Sequence, residues 1–200
     1  MRHLGIAATL LAVMSLPSAI PAEAQQAAAA RPPAMALTIP AFPDGTDIPP
    51  EFTQAGENVA SGKGKSPQIS WENVPEGTQS FVLHMHDIDV ARSKTSDDQL
   101  HWLVWNIPAT ATELSEGVPE GSPLADGSEQ TSASGPFYRG PGAPASGPRH
   151  HYVFELYALD TRLDVQAGED GFADRKQVTD AMQGHILGKA AYVGLFKRPQ

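Results

Sequence analysis

Cysteine is absent from the 200-residue chain. Its absence excludes disulfide bonds, thiol nucleophiles and a lipid-bearing cysteine at a processing site. Basic residues are scarce: 14 Lys and Arg stand against 23 Asp and Glu, a net charge of −9, with no basic run. A nucleic-acid partner is therefore not expected, since such binding needs a basic face that displaces counterions from phosphates. Long apolar runs are wanting too. The run Leu4–Leu16 spans 13 residues, against about 20 for a membrane-crossing helix, so no transmembrane anchor is expected. The Gly-x-Ser-x-Gly elbow, the His-Glu-x-x-His helix and the Asn-x-Ser/Thr acceptor do not occur. Gly64-Lys65-Ser66 matches only the tail of a phosphate-binding loop. Val59 stands where the earlier glycine should be, and Pro67 blocks the helix that should follow.

What is present begins with an address. Arg2 and His3 precede the short apolar run, and Ala22-Glu23-Ala24 supplies a small-x-small cleavage pattern. Residues 1–24 read as a secretory signal, which implies a periplasmic or secreted protein. Residues 25–35, with Ala27 to Ala30 and Pro32-Pro33, read as a disordered leader, and residues 36–198 as one domain.

With 40% hydrophobic residues the chain can bury a core, and 18 Gly plus 18 Pro favour short strands joined by turns over a helical bundle. The expected fold class is mainly β, an antiparallel β-sandwich. Apolar stretches predict strands at 36–39, 68–71, 80–87, 100–107, 150–159 and 191–196. One short C-terminal helix is expected, with Asp174 as N-cap, Val178, Ala181, Met182 and His185/Ile186 on one face, and Gly188 as its stop. The stretch 116–149 carries seven Gly and six Pro and reads as a long loop, a length that usually serves function.

Strand alternation carries the functional signal. Along 80–87, Phe81, Leu83 and Met85 share a face that Asp87 continues. His101 leads the face of Leu103 and Trp105, and His150 with Tyr152 leads that of Phe154 and Leu156. If strands 80–87 and 100–107 pair antiparallel, Asp87 and His101 meet at one end of the core. His150 and Tyr152 can then join them, fed by the loop 135–149, as a small, partly buried ligand pocket. His84 and His86 fall on the opposite face, exposed or bonded across strands, so His84-x-His86-Asp87-x-Asp89 is split and does not form a closed metal site. Trp71, Trp102 and Trp105 read as core.

Several motifs occur in a telling order. They are Ser66-Pro67-Gln68-Ile69-Ser70-Trp71, Val74-Pro75, Asp87-x-Asp89, His101-Trp102-Leu103-Val104-Trp105-Asn106-Ile107-Pro108, Arg149-His150-His151-Tyr152-Val153-Phe154, Tyr157-Ala158-Leu159-Asp160 and Gly184-His185-Ile186-Leu187-Gly188. Together they resemble the phosphatidylethanolamine-binding protein family in its bacterial Raf-kinase-inhibitor-like branch, over roughly residues 36–198. The resemblance implies a β-sandwich with an anion pocket for phosphate-like groups, phospholipid head groups included. Its pocket residues would be Asp87, His101, His150 and Tyr152, with Gly140-Pro141 as part of the rim.

Departures from the family pattern fall at Asp87-Ile88-Asp89-Val90-Ala91, where two prolines are missing, and at Gly140-Pro141-Gly142-Ala143-Pro144 on the rim. Gln99 and Leu100 stand where aromatic residues often precede the His-Trp pair. An aromatic face is what would hold an ammonium group, so anion binding is expected to survive these changes better than ethanolamine recognition.

The leading expectation is an exported binding or modulatory protein, not an enzyme, with a small anionic ligand and no cofactor. Since an ordinary histidine titrates near 6.5, mild acid is expected to charge the histidine pair and favour anions. Two alternatives stand beside it: an inhibitor that presents loop 135–149 to a protein partner, and a metal-assisted hydrolase using Asp87, His101 and His150.

Overall fold

A computed structural model of the chain describes residues 33–200. The expected signal, 1–24, and most of the expected leader lie outside the described residues. Met35, expected in the leader, is buried in the core, because covering its apolar side chain outweighs the freedom it gives up.

Among the described residues nine strands and one α-helix follow in order: β1 (Ala36–Thr38), β2 (Thr46–Asp47), β3 (Ile69–Glu72), β4 (Ser80–Asp87), β5 (Gln99–Pro108), β6 (Glu113–Leu114), β7 (Glu129–Thr131), β8 (His150–Leu159), α1 (Gly171–Ala181) and β9 (Ile186–Phe196). They make a three-stranded sheet, β1-β3-β6, and a six-stranded sheet, β2-β9-β8-β4-β5-β7. The pairings are antiparallel except β2 with β9, which run parallel. That one pair departs from the expected all-antiparallel sandwich. Among the described residues no helix is long and apolar enough to cross a membrane.

The six-stranded sheet is covered on both faces. Its inner face sends Leu83, Met85, Trp102 and Phe154 against Leu37, Ile69 and Trp71 of the small sheet. Its outer face sends Val82, Leu103 and Trp105 under Val178 and Met182 of the helix region. Fully burying side chains of this size stabilises by about 1.5–3 kcal/mol each. Two-sided burial is why Phe81–Leu83 of β4 and Trp102–Trp105 of β5 are unbroken apolar runs at the centre of the sheet.

The helix starts and stops earlier than its sequence pattern suggests. Asp170, not Asp174, caps it, accepting from Phe172 N at 2.9 Å and Ala173 N at 3.4 Å. Asp174 is instead buried and accepts from Gly168 N. Gly184 takes φ +85° and turns the chain out of the helix, so Ile186 opens β9 rather than extending the helical face. β9 therefore starts five residues before the expected 191, its first half held by β8 through pairs such as Tyr157 with Lys189. β2, β6 and β7, each of two or three residues, are too short to show a period. β7 also divides the long Gly/Pro-rich stretch.

Candidate functional site

Asp87 ends β4, and the ladder places it opposite Gln99 of β5 and Tyr152 of β8. On the β5 side the register skips one residue: Met85 pairs with Trp102 and His86 with Leu100, so His101 is the extra residue of a β-bulge. A bulge shifts the alternation and re-aims the side chains beside it. Here it corrects the sequence reading. Leu103 and Trp105 face the helix, whereas His101 turns to the inner side, with its ring edge-on to Tyr152 at 5.0 Å between centroids.

His150 opens β8 and reaches across to Asp87, Nδ1 to Oδ2 at 2.8 Å. The expected four residues therefore meet. Asp87 and His101 are 3% exposed and Tyr152 0%, while the His150 side chain is 15% exposed, so access to the cluster runs past His150.

The long loop forms its wall. His101 Nδ1 donates to the Arg139 carbonyl at 2.8 Å, and Arg139 N donates back to the His101 carbonyl at 3.0 Å. Gly142 N and Ala143 N both donate to the Tyr152 hydroxyl, at 3.2 and 3.1 Å. Gln54 then ties the loop from outside, its side chain donating to Gly140 O at 2.7 Å and its N to Pro141 O at 2.9 Å. Gly140 and Pro141 are both buried, a packed wall rather than an open rim. Sequence reasoning missed Gln54, Arg139 and the Gly142-Ala143 amides; a backbone partner leaves no side-chain signal.

The segment without prolines is held by hydrogen bonds in their place. Asp87 Oδ1 accepts from Asp89 N at 3.0 Å, and Asp89 Oδ2 accepts from His151 N at 2.6 Å and faces His151 Nδ1 at 2.9 Å. Asp89 thus closes the turn against β8 and stands outside the pocket.

Burial sets the electrostatics. It pushes His101 down to about 4 even though the Arg139 carbonyl and Asp87 favour its charged form. His101 is thus neutral at pH 7.5 and at pH 6, and the expectation that mild acid charges both histidines fails for this one. Burial also raises the Tyr152 phenol, with Asp87 adding to the effect, so its proton stays on. With both amides occupying its oxygen, Tyr152 keeps one O–H to donate. His101 and His150 each commit Nδ1 to the protein and keep Nε2, and in the neutral His101 ring that nitrogen accepts.

A sequence model for phosphatidylethanolamine-binding protein matches residues 38–197. The chain belongs to this family. Among curated relatives, a UPF0098 protein of Methanothermobacter thermautotrophicus is 43% identical over 166 residues, covering 82% of this chain and 99% of that one. The UPF0098 protein YbhB of Escherichia coli is 33% identical, covering 76% and 94%. Among solved structures, the putative phosphatidylethanolamine-binding protein homologue CT736 of Chlamydia trachomatis aligns with TM-score 0.68 at 31% identity, over 83% of this chain and 99% of that one. Escherichia coli YbcL, described as a member of the mammalian family, aligns with TM-score 0.68 at 26% identity, over 82% and 99%. This is a family member of the bacterial type, and the fold is that of a binding protein.

Proposed function

We propose that this phosphatidylethanolamine-binding family member binds small phosphate-type oxyanions, free or as phospholipid head groups, and does so after export without catalysing a reaction. The observation that carries the reading is the Asp87–His150 pair at 2.8 Å, set beside buried His101 and Tyr152 at the end of the core. Family membership supports a head-group-like ligand. The segment Leu4–Leu16 with Ala22-Glu23-Ala24 supports export.

The neutral His101 Nε2 accepts a hydrogen bond, and Asp87 repels a dianion. A phosphate monoester in its singly protonated form suits such a site: its P–O–H donates to an imidazole Nε2 while another oxygen accepts from the Tyr152 hydroxyl. The ligand, not buried His101, then brings the proton. Loop residues 138–143 pack against Gln54 and Tyr152, which favours a pocket wall over an inhibitory surface.

The test is calorimetric titration with phosphate and phosphoethanolamine at pH 6 and pH 7.5, using wild type, Asp87→Ala, His101→Ala and His150→Ala. Saturable binding at micromolar to millimolar Kd, about −8 to −4 kcal/mol, lost in folded variants, is the expected result. No binding of either anion to folded wild type would sink the proposal.

A further inference from the structure

Behind the anion pocket, on the outer face of the same sheet, lies a second cluster. His84 and His86 stand two residues apart on β4, and Glu155 on β8 is paired directly with His84. The two imidazoles stack with centroids 4.3 Å apart and planes 9° apart, so both turn an edge to the same carboxylate. Glu155 Oε2 is 3.4 Å from His86 Nε2 and 3.8 Å from His84 Nδ1. Two ligands of one tetrahedral zinc-class ion, each about 2.0–2.1 Å from it, stand about 3.3–3.5 Å apart.

We propose that His84, His86 and Glu155 form a binding site for a first-row divalent transition metal of the zinc class. Their ligand atoms lie within 4.8 Å of one another. Two imidazoles and one carboxylate form a donor set for such an ion, with a coordination position left open.

Three further observations support the assignment. His86 Nε2, the atom that faces Glu155, is buried without a hydrogen-bond partner of good geometry, a state that native interiors rarely tolerate without a use for the atom. His86 donates Nδ1–H to Asp98 Oδ2, and Asp98 is itself held by Arg175 at 2.6 Å. That is the carboxylate–histidine backing which fixes the tautomer of a metal-bound imidazole and aims its other nitrogen at the ion. Finally, the cluster opens on a groove of about 680 Å³ between sheet and helix, lined by His84, Asp98, Glu155, Tyr157, Phe172 and Arg175 among others. An exogenous ligand can reach the open position there.

The surrounding charge is compatible. Glu155, Asp98 and Asp97 face Arg175 and Lys189, three carboxylates against two fixed cations. Lys189 pairs with Glu155 through Oε1 and its side chain is 47% exposed, which leaves it free to swing away. Tyr157 donates to Glu155 Oε2 at 2.9 Å and steadies the carboxylate. The proposed metal thus lies on the sheet face opposite to Asp87, His101 and His150.

The experiment uses the whole protein, stripped with chelator and dialysed, then titrated with Zn²⁺ by calorimetry and with Co²⁺ by visible absorption. One ion per chain is expected, with the intense Co²⁺ bands of four- or five-coordination. His86→Ala and Glu155→Gln should each weaken Zn²⁺ binding at least tenfold, and Asp98→Asn by about 10- to 100-fold. His151→Ala and His185→Ala should leave it unchanged. Absence of stoichiometric Zn²⁺ binding overturns the proposal, as does binding that survives both ligand substitutions or is lost with His151 or His185. Should the ligand variants fail to fold, the wild-type Co²⁺ spectrum decides. A weak octahedral spectrum overturns the site, and an intense one supports it.

Discussion

His101 and Arg139 hold each other twice: Nδ1–H of the histidine donates to the Arg139 carbonyl at 2.8 Å, and Arg139 N returns a bond to the His101 carbonyl at 3.0 Å. One bulged residue of β5 thereby fixes the wall of the pocket and, through burial, its own neutrality.

That neutrality makes stability depend on pH. His101 titrates near 6.5 in the unfolded chain and at about 4 when folded. Its folded pKa is depressed, so protons favour the unfolded state. The contribution is whole above pH 6.5 and is lost as pH falls through 6.5 toward 4. The loss is roughly 2 kcal/mol by pH 5 and about 3 kcal/mol in the limit. Urea unfolding at pH 7.5, 6 and 5 should show this increment in wild type and not in His101→Asn, whose amide can still donate to the Arg139 carbonyl. Equal pH slopes for the two proteins would refute the assignment.

The same neutrality separates two origins of pH-dependent binding. If the ligand supplies the proton, phosphoethanolamine, whose second ionisation falls near pH 6, should bind several-fold more tightly at pH 6 than at 7.5. Sulfate, which does not titrate there, should bind with little change. Parallel strengthening of both would move the proton to a histidine of the site and remove the ligand-protonation account.

Much of this was legible in the chain. Residues 80–87 and 150–159 carry apolar side chains at every second position over most of their length, and β4 and β8 occupy those same spans, because an inner face packed on a second sheet enforces period two. Alternation also put Asp87, His150 and Tyr152 on one face, and the structure brings them together there. His101 was chosen for a reason that fails: its expected partners Leu103 and Trp105 face the helix, and only the bulge brings the ring inside. A bulge is decided by pairing between strands, which one strand's pattern does not encode. The outer cluster was hidden for a related cause. His84 and His86 were visible as a pair, but Glu155 lies 69 residues beyond His86 and becomes their neighbour only through the β4–β8 register.

Gly140 is a packing glycine, and the wall depends on it. A Cβ there would meet Lys63 O at 2.9 Å, Thr53 C at 2.9 Å and Gln54 N at 3.0 Å, all backbone atoms with little room to yield. Gly140→Ala should cost about 1–3 kcal/mol by overpacking and weaken phosphate binding, because the displaced segment carries the Tyr152 partners Gly142 and Ala143. Chemical denaturation and the calorimetric titration together check both effects. Wild-type stability in the variant would mean that the 52–54 backbone can retreat.

Asn106 offers a test of the fold away from the pocket. It sits at φ +58° beside the second irregularity of the β4–β5 ladder, a conformation that asparagine tolerates better than alanine. Its amide gives a hydrogen bond to Leu163 O at 2.8 Å and its carbonyl oxygen takes one from Leu163 N at 2.7 Å, standing in for a neighbouring strand. Asn106→Ala strands both Leu163 groups in a buried site and keeps the unfavourable φ, so a loss of roughly 2–4 kcal/mol is expected. Asn106→Asp can still accept from Leu163 N but sets a buried carboxylate oxygen against Leu163 O with no proton between them, and at neutral pH should be no more stable than alanine. An alanine variant that unfolds at the wild-type denaturant midpoint would show that the 163 segment finds other partners, and the bulge would lose its assigned anchor.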